Sequence, residues 1–127
     1  MEVCAEILST CEEIRRTRFP QGLPTAEAVV TTAGALAARF VVHTVGPIKG
    51  MHGSEDAILL ASCYKNSLAF AVRLGCKSVA FPSISTGVYG YPKEQAAAVS
   101  SAAIVCMSVM RAAGGMTPTP SCPRTRR

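Results

Sequence analysis

Apolar residues first recur along this chain at helical spacing. Val3, Ile7, Cys11 and Ile14, with Leu8 beside them, mark one face of an amphipathic helix over residues 2–16. Glu2 and Glu6 stand early in it and Arg15 and Arg16 late, the order that complements a helix dipole. The pattern then changes. Ala28–Val29–Val30–Thr31–Thr32 predicts a strand ended by Gly34, and Phe40–Val41–Val42–His43–Thr44–Val45 a second one closed by Gly46–Pro47. Few residues separate them, so a short-loop or antiparallel pair is expected. Residues 21–25 and 49–53 read as loops. Ser54 reads as an N-cap, with Glu55 and Asp56 in the first turn of a helix that runs to about Leu74 and stops at Gly75. Ile58, Leu59, Ala61, Tyr64, Leu68, Ala71 and Val72 form its expected buried face. Ser78–Phe81 predicts a third strand, buried on both sides. Pro92 opens an alanine-rich helix that runs to about Ala113 and ends at Gly114–Gly115.

Three helices and three strands in this order give an α/β chain. Strands this apolar need cover on both faces and partners along their edges. These pieces leave the edges of a three-stranded sheet unpaired.

The 127 residues suffice for one domain and not two. With 49% hydrophobic and 17% charged residues, the chain has the means to bury a core. Residues 1–114 read as that domain. From Met116 the periodicity is lost, and residues 115–127 read as a disordered Pro/Arg-rich tail. The net charge of +5 owes three units to Arg124, Arg126 and Arg127. Without them the body is close to neutral and has no basic stripe, which argues against a nucleic-acid groove.

Six cysteines, at positions 4, 11, 63, 76, 106 and 122, form no C-x-x-C pair and no zinc-spaced cluster. Most lie in apolar periodic segments. They read as buried free thiols, which favours a reducing, cytoplasmic setting. No secretory signal opens the chain, and the most lipid-like run, residues 96–110, is too short to span a membrane. No metal or cofactor is expected.

The candidate chemistry lies in Ser78–Pro92. There an apolar run stops in a small, polar, glycine-bearing turn, and a proline starts a helix. Strand, loop and helix N-terminus in that order make a cup of backbone N–H groups suited to phosphate. Gly87 and Gly90 permit positive φ and close approach of a ligand. Ser85 and Thr86 add hydroxyls, and Tyr89 and Tyr91 offer flat faces to a sugar or base. A plain strand-to-helix turn has the same composition, so spacing alone leaves both readings open. No P-loop pattern is present, and Gly87-x-x-Gly90 lacks the first glycine of a dinucleotide fingerprint.

Four segments together resemble the macrodomain family, the ADP-ribose-binding α/β/α modules. They are Leu23–Gly34, Val42–Pro47, Tyr64–Leu68 and, above all, Ser78–Pro92, in family order, so that the resemblance covers about residues 3 to 112. It is most marked for the branch that hydrolyses ADP-ribosyl esters on proteins and O-acetyl-ADP-ribose. The resemblance implies a three-layer α/β/α sandwich. It implies that Ser85, Thr86, Gly87, Val88, Tyr89 and Gly90 are the second substrate loop, their N–H groups on the diphosphate of ADP-ribose. Tyr89 would lie by the distal ribose, with Ser83 and Ile84 lining the approach.

The departures from the family are equally specific. Its first two strands, the Asn-Ala-Ala-Asn-type turn with the loop that carries its catalytic asparagine and aspartate, and its last strand have no counterpart here. The chain is therefore expected to be incomplete at both ends, with a gap in mid-sheet between Phe40–Val45 and Ser78–Phe81. No catalytic residue carries over. His43, in an apolar strand, reads as a hydrogen-bonded structural residue, and His52 as solvent-exposed. Asn66 reads as a packing brace and Glu27 as surface charge, and no carboxylate pair has acid–base spacing. The expectation is an ADP-ribose-binding fragment with the family's hydrolysis impaired. The alternatives are a non-catalytic ADP-ribose-binding module and a non-functional truncated product. ADP-ribose, O-acetyl-ADP-ribose or ADP-ribosylated proteins are the expected partners, with neither nucleic acid nor membrane.

Overall fold

A computed structural model describes the backbone of residues 3–112 and the side chains of residues 5–109. The Gly114–Gly115 stop and the tail of residues 115–127 lie outside the described residues. The elements in order are α1 (Val3–Thr17), β1 (Ala28–Thr32), β2 (Phe40–Thr44), a 3-10 turn (Gly53–Glu55), α2 (Asp56–Arg73) and α3 (Lys93–Ala112).

β1 and β2 pair antiparallel, with Ala28 opposite Thr44 and Thr32 opposite Phe40. Ala28, Val29 and Thr31 of β1 are buried, whereas every residue of β2 is only half-buried. A local device fixes the entry to β1. Ala26 adopts φ +72, an unusual value for a residue with a Cβ. Its N–H donates to the Val45 carbonyl at 2.8 Å, and its carbonyl accepts from Asn66 Nδ2 at 2.8 Å. Asn66 is thus the packing brace expected, and it ties α2 to the start of the sheet.

The core lies mainly between α2 and α3. Leu60 and Tyr64 of α2 meet Ala96 and Ala103 of α3 and the buried Tyr91. The small side chains of α3 allow the helices to approach closely. The buried face of α2 matches the expected one in part: Tyr64 and Ala71 are buried and Leu59, Ala61, Leu68 and Val72 half-buried, but the face is turned from Ile58 toward Leu60 and Cys63. Leu60, Cys63, Tyr64, Ser67 and Ala71 turn inward, while Ile58 is 66% exposed. Apolar residues occur nearly all round this helix, so composition alone did not select its inner face.

Both ends of α2 show how the backbone is closed. Ser54 does not cap it. Glu55 holds the cap position with no side-chain bond, and the Asp56 carboxylate instead folds back onto the preceding loop. At the other end Gly75 takes φ +69. Its N–H donates to the Val72 carbonyl and that of Cys76 to the Ala71 carbonyl, the paired bonds of a Schellman motif. At α3, Pro92 stands just before the helix and its carbonyl accepts the first helical N–H, from Ala96.

The expected third strand does not form. Among the described residues, the backbone of residues 77–83 exchanges no hydrogen bond with another backbone group, and Ser78, Val79 and Ala80 are exposed. An apolar composition cannot make a strand without a neighbour to pair with. Among the described residues the sheet has two strands. Between β2 and residues 77–83 lies a cleft of about 1150 Å³, with Ser67, Ala71 and Leu74 of α2 also in its lining. It occupies the place where the gap was expected.

The thiols are also less buried than expected. Cys63 is buried, but Cys11 and Cys76 are half-buried and Cys106 is exposed, and these four are thiols rather than disulfides. The side chain of Cys4 and all of Cys122 lie outside the described residues. No helix among the described residues is long and apolar enough to cross a membrane.

Gly75→Ala places a Cβ in the left-handed region and is expected to cost about 1–2 kcal/mol. Urea unfolding followed by circular dichroism measures it, with the slope of the transition unchanged.

Candidate functional site

Residues 83–90 leave the extended segment after Pro82 and return beneath the start of α3. A single α2 side chain begins the turn. The Tyr64 hydroxyl accepts from the Ile84 N–H at 3.3 Å and lies 3.5 Å from the Pro82 carbonyl. Its ring packs against Phe81, centroids 5.0 Å apart. Ser85 then adopts φ +65 and Gly90 φ +71. The Tyr91 N–H donates to the Ser85 carbonyl at 2.9 Å and the Gly90 N–H to that of Gly87 at 3.0 Å, closing the loop on itself. The Thr86 hydroxyl donates to the Ser83 carbonyl at 3.0 Å.

These bonds leave a specific residue. Among the described residues, the backbone N–H groups of residues 85–89 donate to no protein acceptor. Five consecutive amides are therefore unsatisfied by the chain itself. Buried or ligand-facing amides need acceptors, and an anion provides several at once. Val88 is fully exposed and Tyr89 is 40% exposed, so the loop tip is open. Gly87 has open space where a Cβ would stand and does not use positive φ; of the two glycines only Gly90 does. Tyr91 does not offer a face to a ligand. It is buried, and Lys49 Nζ lies 4.9 Å from its ring centroid.

The loop is held from two further sides. Gly46 packs directly on it: a Cβ there would collide with Ser85 Oγ and lie 2.6 Å from Ile84 Cγ2. Ser85 Oγ, pressed against Gly46, is buried with no hydrogen-bond partner. The Lys49 N–H donates to the Tyr89 carbonyl at 2.9 Å. Lys49 is in turn fixed by Asp56, whose carboxylate accepts from the Gly50 N–H at 2.8 Å and the His52 N–H at 3.2 Å. Lys49 Nζ and His52 Nδ1 stand 4.0 and 3.5 Å from the same carboxylate. The Gly50 N–H above all, then that of His52 and the nearby charges of Lys49 and His52, hold the Asp56 carboxyl below the usual range, against the opposing effect of burial.

Other titratable groups are committed to the fold. His43 Nε2 lies 2.9 Å from Thr31 Oγ1 and 3.8 Å from Cys11 Sγ, and burial lowers its pKa. It is the structural histidine expected. His52 is exposed on its outer side but touches Asp56. Burial raises the pKa of Cys63, whose thiol donates to the Val45 carbonyl. Sequence reasoning missed Gly46, Lys49 and Asp56 as supports of the loop. Gly46-Pro47 read only as a strand stop and Asp56 only as a first-turn acid; no local signal links either to a loop some 40 residues away.

Comparison with known proteins bears on this geometry. The Macro domain family model matches residues 2–100. The chain belongs to the macrodomain family. It is 49% identical over 105 residues to a macro domain-containing protein of Streptomyces griseus, covering 82% of this chain and 58% of that protein. It is also 49% identical over 97 residues to an O-acetyl-ADP-ribose deacetylase of Escherichia fergusonii, covering 75% of this chain and 52% of that protein. The Oceanobacillus iheyensis macrodomain, solved with ADP, superposes with TM-score 0.79 at 40% identity, over 83% of this chain and 56% of that one. A variant of the same Oceanobacillus protein was solved with ADPR. This macrodomain chain thus spans about half the length of the curated relatives it matches.

Two outcomes are expected from this frame. Gly46→Ala forces Ser85 and Ile84 to shift and costs about 1–3 kcal/mol in chemical denaturation, the usual cost of overpacking. Asp56→Asn lowers the melting temperature by several degrees at neutral pH. The depressed carboxyl contributes stability above its ordinary range near ~4, and that contribution fades as pH falls through its folded value. The difference in melting temperature between the two proteins therefore closes in acid, which calorimetry across pH follows.

Proposed function

We propose that this macrodomain chain binds ADP-ribose, with Ser85, Thr86, Gly87, Val88, Tyr89 and Gly90 forming the diphosphate loop and Ser83 and Ile84 lining the approach from the extended segment. The observation that carries the reading is the run of five backbone amides, residues 85–89, without protein acceptors. A diphosphate supplies acceptor oxygens in a row and carries the charge that oriented N–H groups favour. Tyr89, 40% exposed at the loop tip, offers its ring to the distal ribose. Support also comes from relatives solved with ADP and ADPR.

The reading is binding without hydrolysis. Relatives at 49% and 47% identity are O-acetyl-ADP-ribose deacetylases. Hydrolysis needs a group that positions and activates water. Of the described side chains with shifted pKa values, His43 is engaged by Thr31, Cys63 by Val45, and Asp56 by the 50–52 loop. No catalytic residue is assigned among the described residues. Residues 1–114 act on this reading as one binding unit.

Calorimetric titration of the 127-residue chain with ADP-ribose tests the proposal. Saturable one-to-one binding is expected, and Gly87→Glu abolishes it by setting a carboxylate against the diphosphate. Because a Cβ at Gly87 meets no atom within 4 Å, the variant keeps the fold, and its loss reports on the ligand. No binding by the folded chain, or equal binding by the variant, rejects the loop assignment. In a second arm the chain is incubated with O-acetyl-ADP-ribose. Acetate release at the buffer rate is expected; faster release that Gly87→Glu removes would show catalysis.

A further inference from the structure

A smaller cavity, of about 190 Å³, lies at the end of α1, apart from the 83–90 loop. Ile14, Phe19, Leu23 and Val29 make most of its wall apolar. Two side chains able to bind metal also line it, Cys11 of α1 and His43 of β2, with Cys11 Sγ 3.8 Å from His43 Nε2. An ion of zinc's size holds a thiolate sulfur at about 2.3 Å and an imidazole nitrogen at about 2.0 Å, so the two ligand atoms stand roughly 3.6 Å apart at a tetrahedral angle and 4.3 Å apart in a line. The observed separation falls inside that span. The pair can therefore take an ion between them with a shift of about 0.5 Å at most.

We propose that Cys11 and His43 form a two-coordinate site for a soft monovalent ion of the copper(I) class, which ties α1 to β2. Thiolate and imidazole are ligands such an ion takes. A structural zinc site closes with four, and no third His, Cys, Asp or Glu joins this pair among the described residues. Charge selects in the same direction. On binding, one proton leaves the Cys11 thiol, and the thiolate and a monovalent ion cancel. A dication would leave a positive charge beside Arg15, which lines the cavity where no carboxylate does. The histidine is suited to the task. Burial lowers its pKa, which favours the neutral ring a metal requires. The single hydrogen of the Thr31 hydroxyl goes to the Thr32 carbonyl at 3.0 Å, so Thr31 Oγ1 accepts from His43 Nε2 at 2.9 Å. A metal on Nε2 moves the ring proton to Nδ1, and Thr31 keeps its carbonyl partner. The cavity has no residue in common with the 83–90 loop, so the site stands whether or not that loop binds ADP-ribose.

The probe is copper(I) itself, offered without oxygen to the reduced 127-residue chain in competition with a chromophoric chelator. The chain is expected to withdraw a first equivalent, and X-ray absorption at the copper edge to show one sulfur and one nitrogen ligand. Cys11→Ser and His43→Gln are each expected to weaken the first equivalent at least tenfold, while Cys76→Ser and Cys106→Ser leave it unchanged. Zinc(II) at tenfold excess is expected not to displace it. The proposal is overturned by no uptake, by a first equivalent held by sulfur alone, by retention in Cys11→Ser, or by displacement with zinc(II). The absorption and zinc measurements use the unaltered chain, so they decide the matter even where a variant fails to fold.

Discussion

The phenol of Tyr64 holds together what the sheet does not. The segment from Ser78 to Ile84 has no backbone partner along most of its length, and such a segment would ordinarily be loose. Here the Tyr64 hydroxyl receives the Ile84 N–H and approaches the Pro82 carbonyl, while its ring packs on Phe81. Tyr64 is itself fixed because α2 is clamped against α3 through Leu60, Ala96 and Ala103. The direction in which the chain enters the 83–90 loop thus depends on a side chain of a helix. The two ordered faces of the molecule, helix pair and sheet, share that helix.

From this anchor the loop is shaped by contacts that each remove a degree of freedom. Gly46 lets β2's end come directly against Ser85, at the cost of burying a hydroxyl without a partner. Lys49 grips the Tyr89 carbonyl, and Asp56 holds the Lys49–His52 loop through two backbone N–H groups. What remains unsatisfied after all these bonds is the N–H row of residues 85–89. The surroundings thus supply the loop's shape and leave those five amides without acceptors.

Much of this was legible along the chain. The strand Ala28–Thr32 has the expected bounds and β2 ends at Thr44, one residue before the expected Val45, because their β-branched runs are short and their stops, Gly34 and Gly46–Pro47, are local. The Gly75 end of α2 was equally clear, since only glycine readily adopts φ +69. The four macrodomain-like segments named the family that comparison then showed. The failures share a cause. Ser54 carried the right chemistry for a cap, but Asp56 took a competing role two residues on. Ile58 fitted the helical face as well as Leu60 did, and the partner helix chose. Ser78–Phe81 had strand composition and no partner.

By itself, then, the sequence determined the helices α1 to α3, the β1–β2 pair, the family and the place of a glycine-bearing turn before α3, because those depend on local propensity and on spacing within a few residues. Only the tertiary structure decided that Ser78–Phe81 is an unpaired wall of a cleft, that Tyr91 is buried while Tyr89 is not, and that five amides of the loop stay free. Each of those depends on which distant backbone or side chain supplies, or fails to supply, a hydrogen-bond partner. That is a property of three-dimensional neighbours, and no local pattern encodes it.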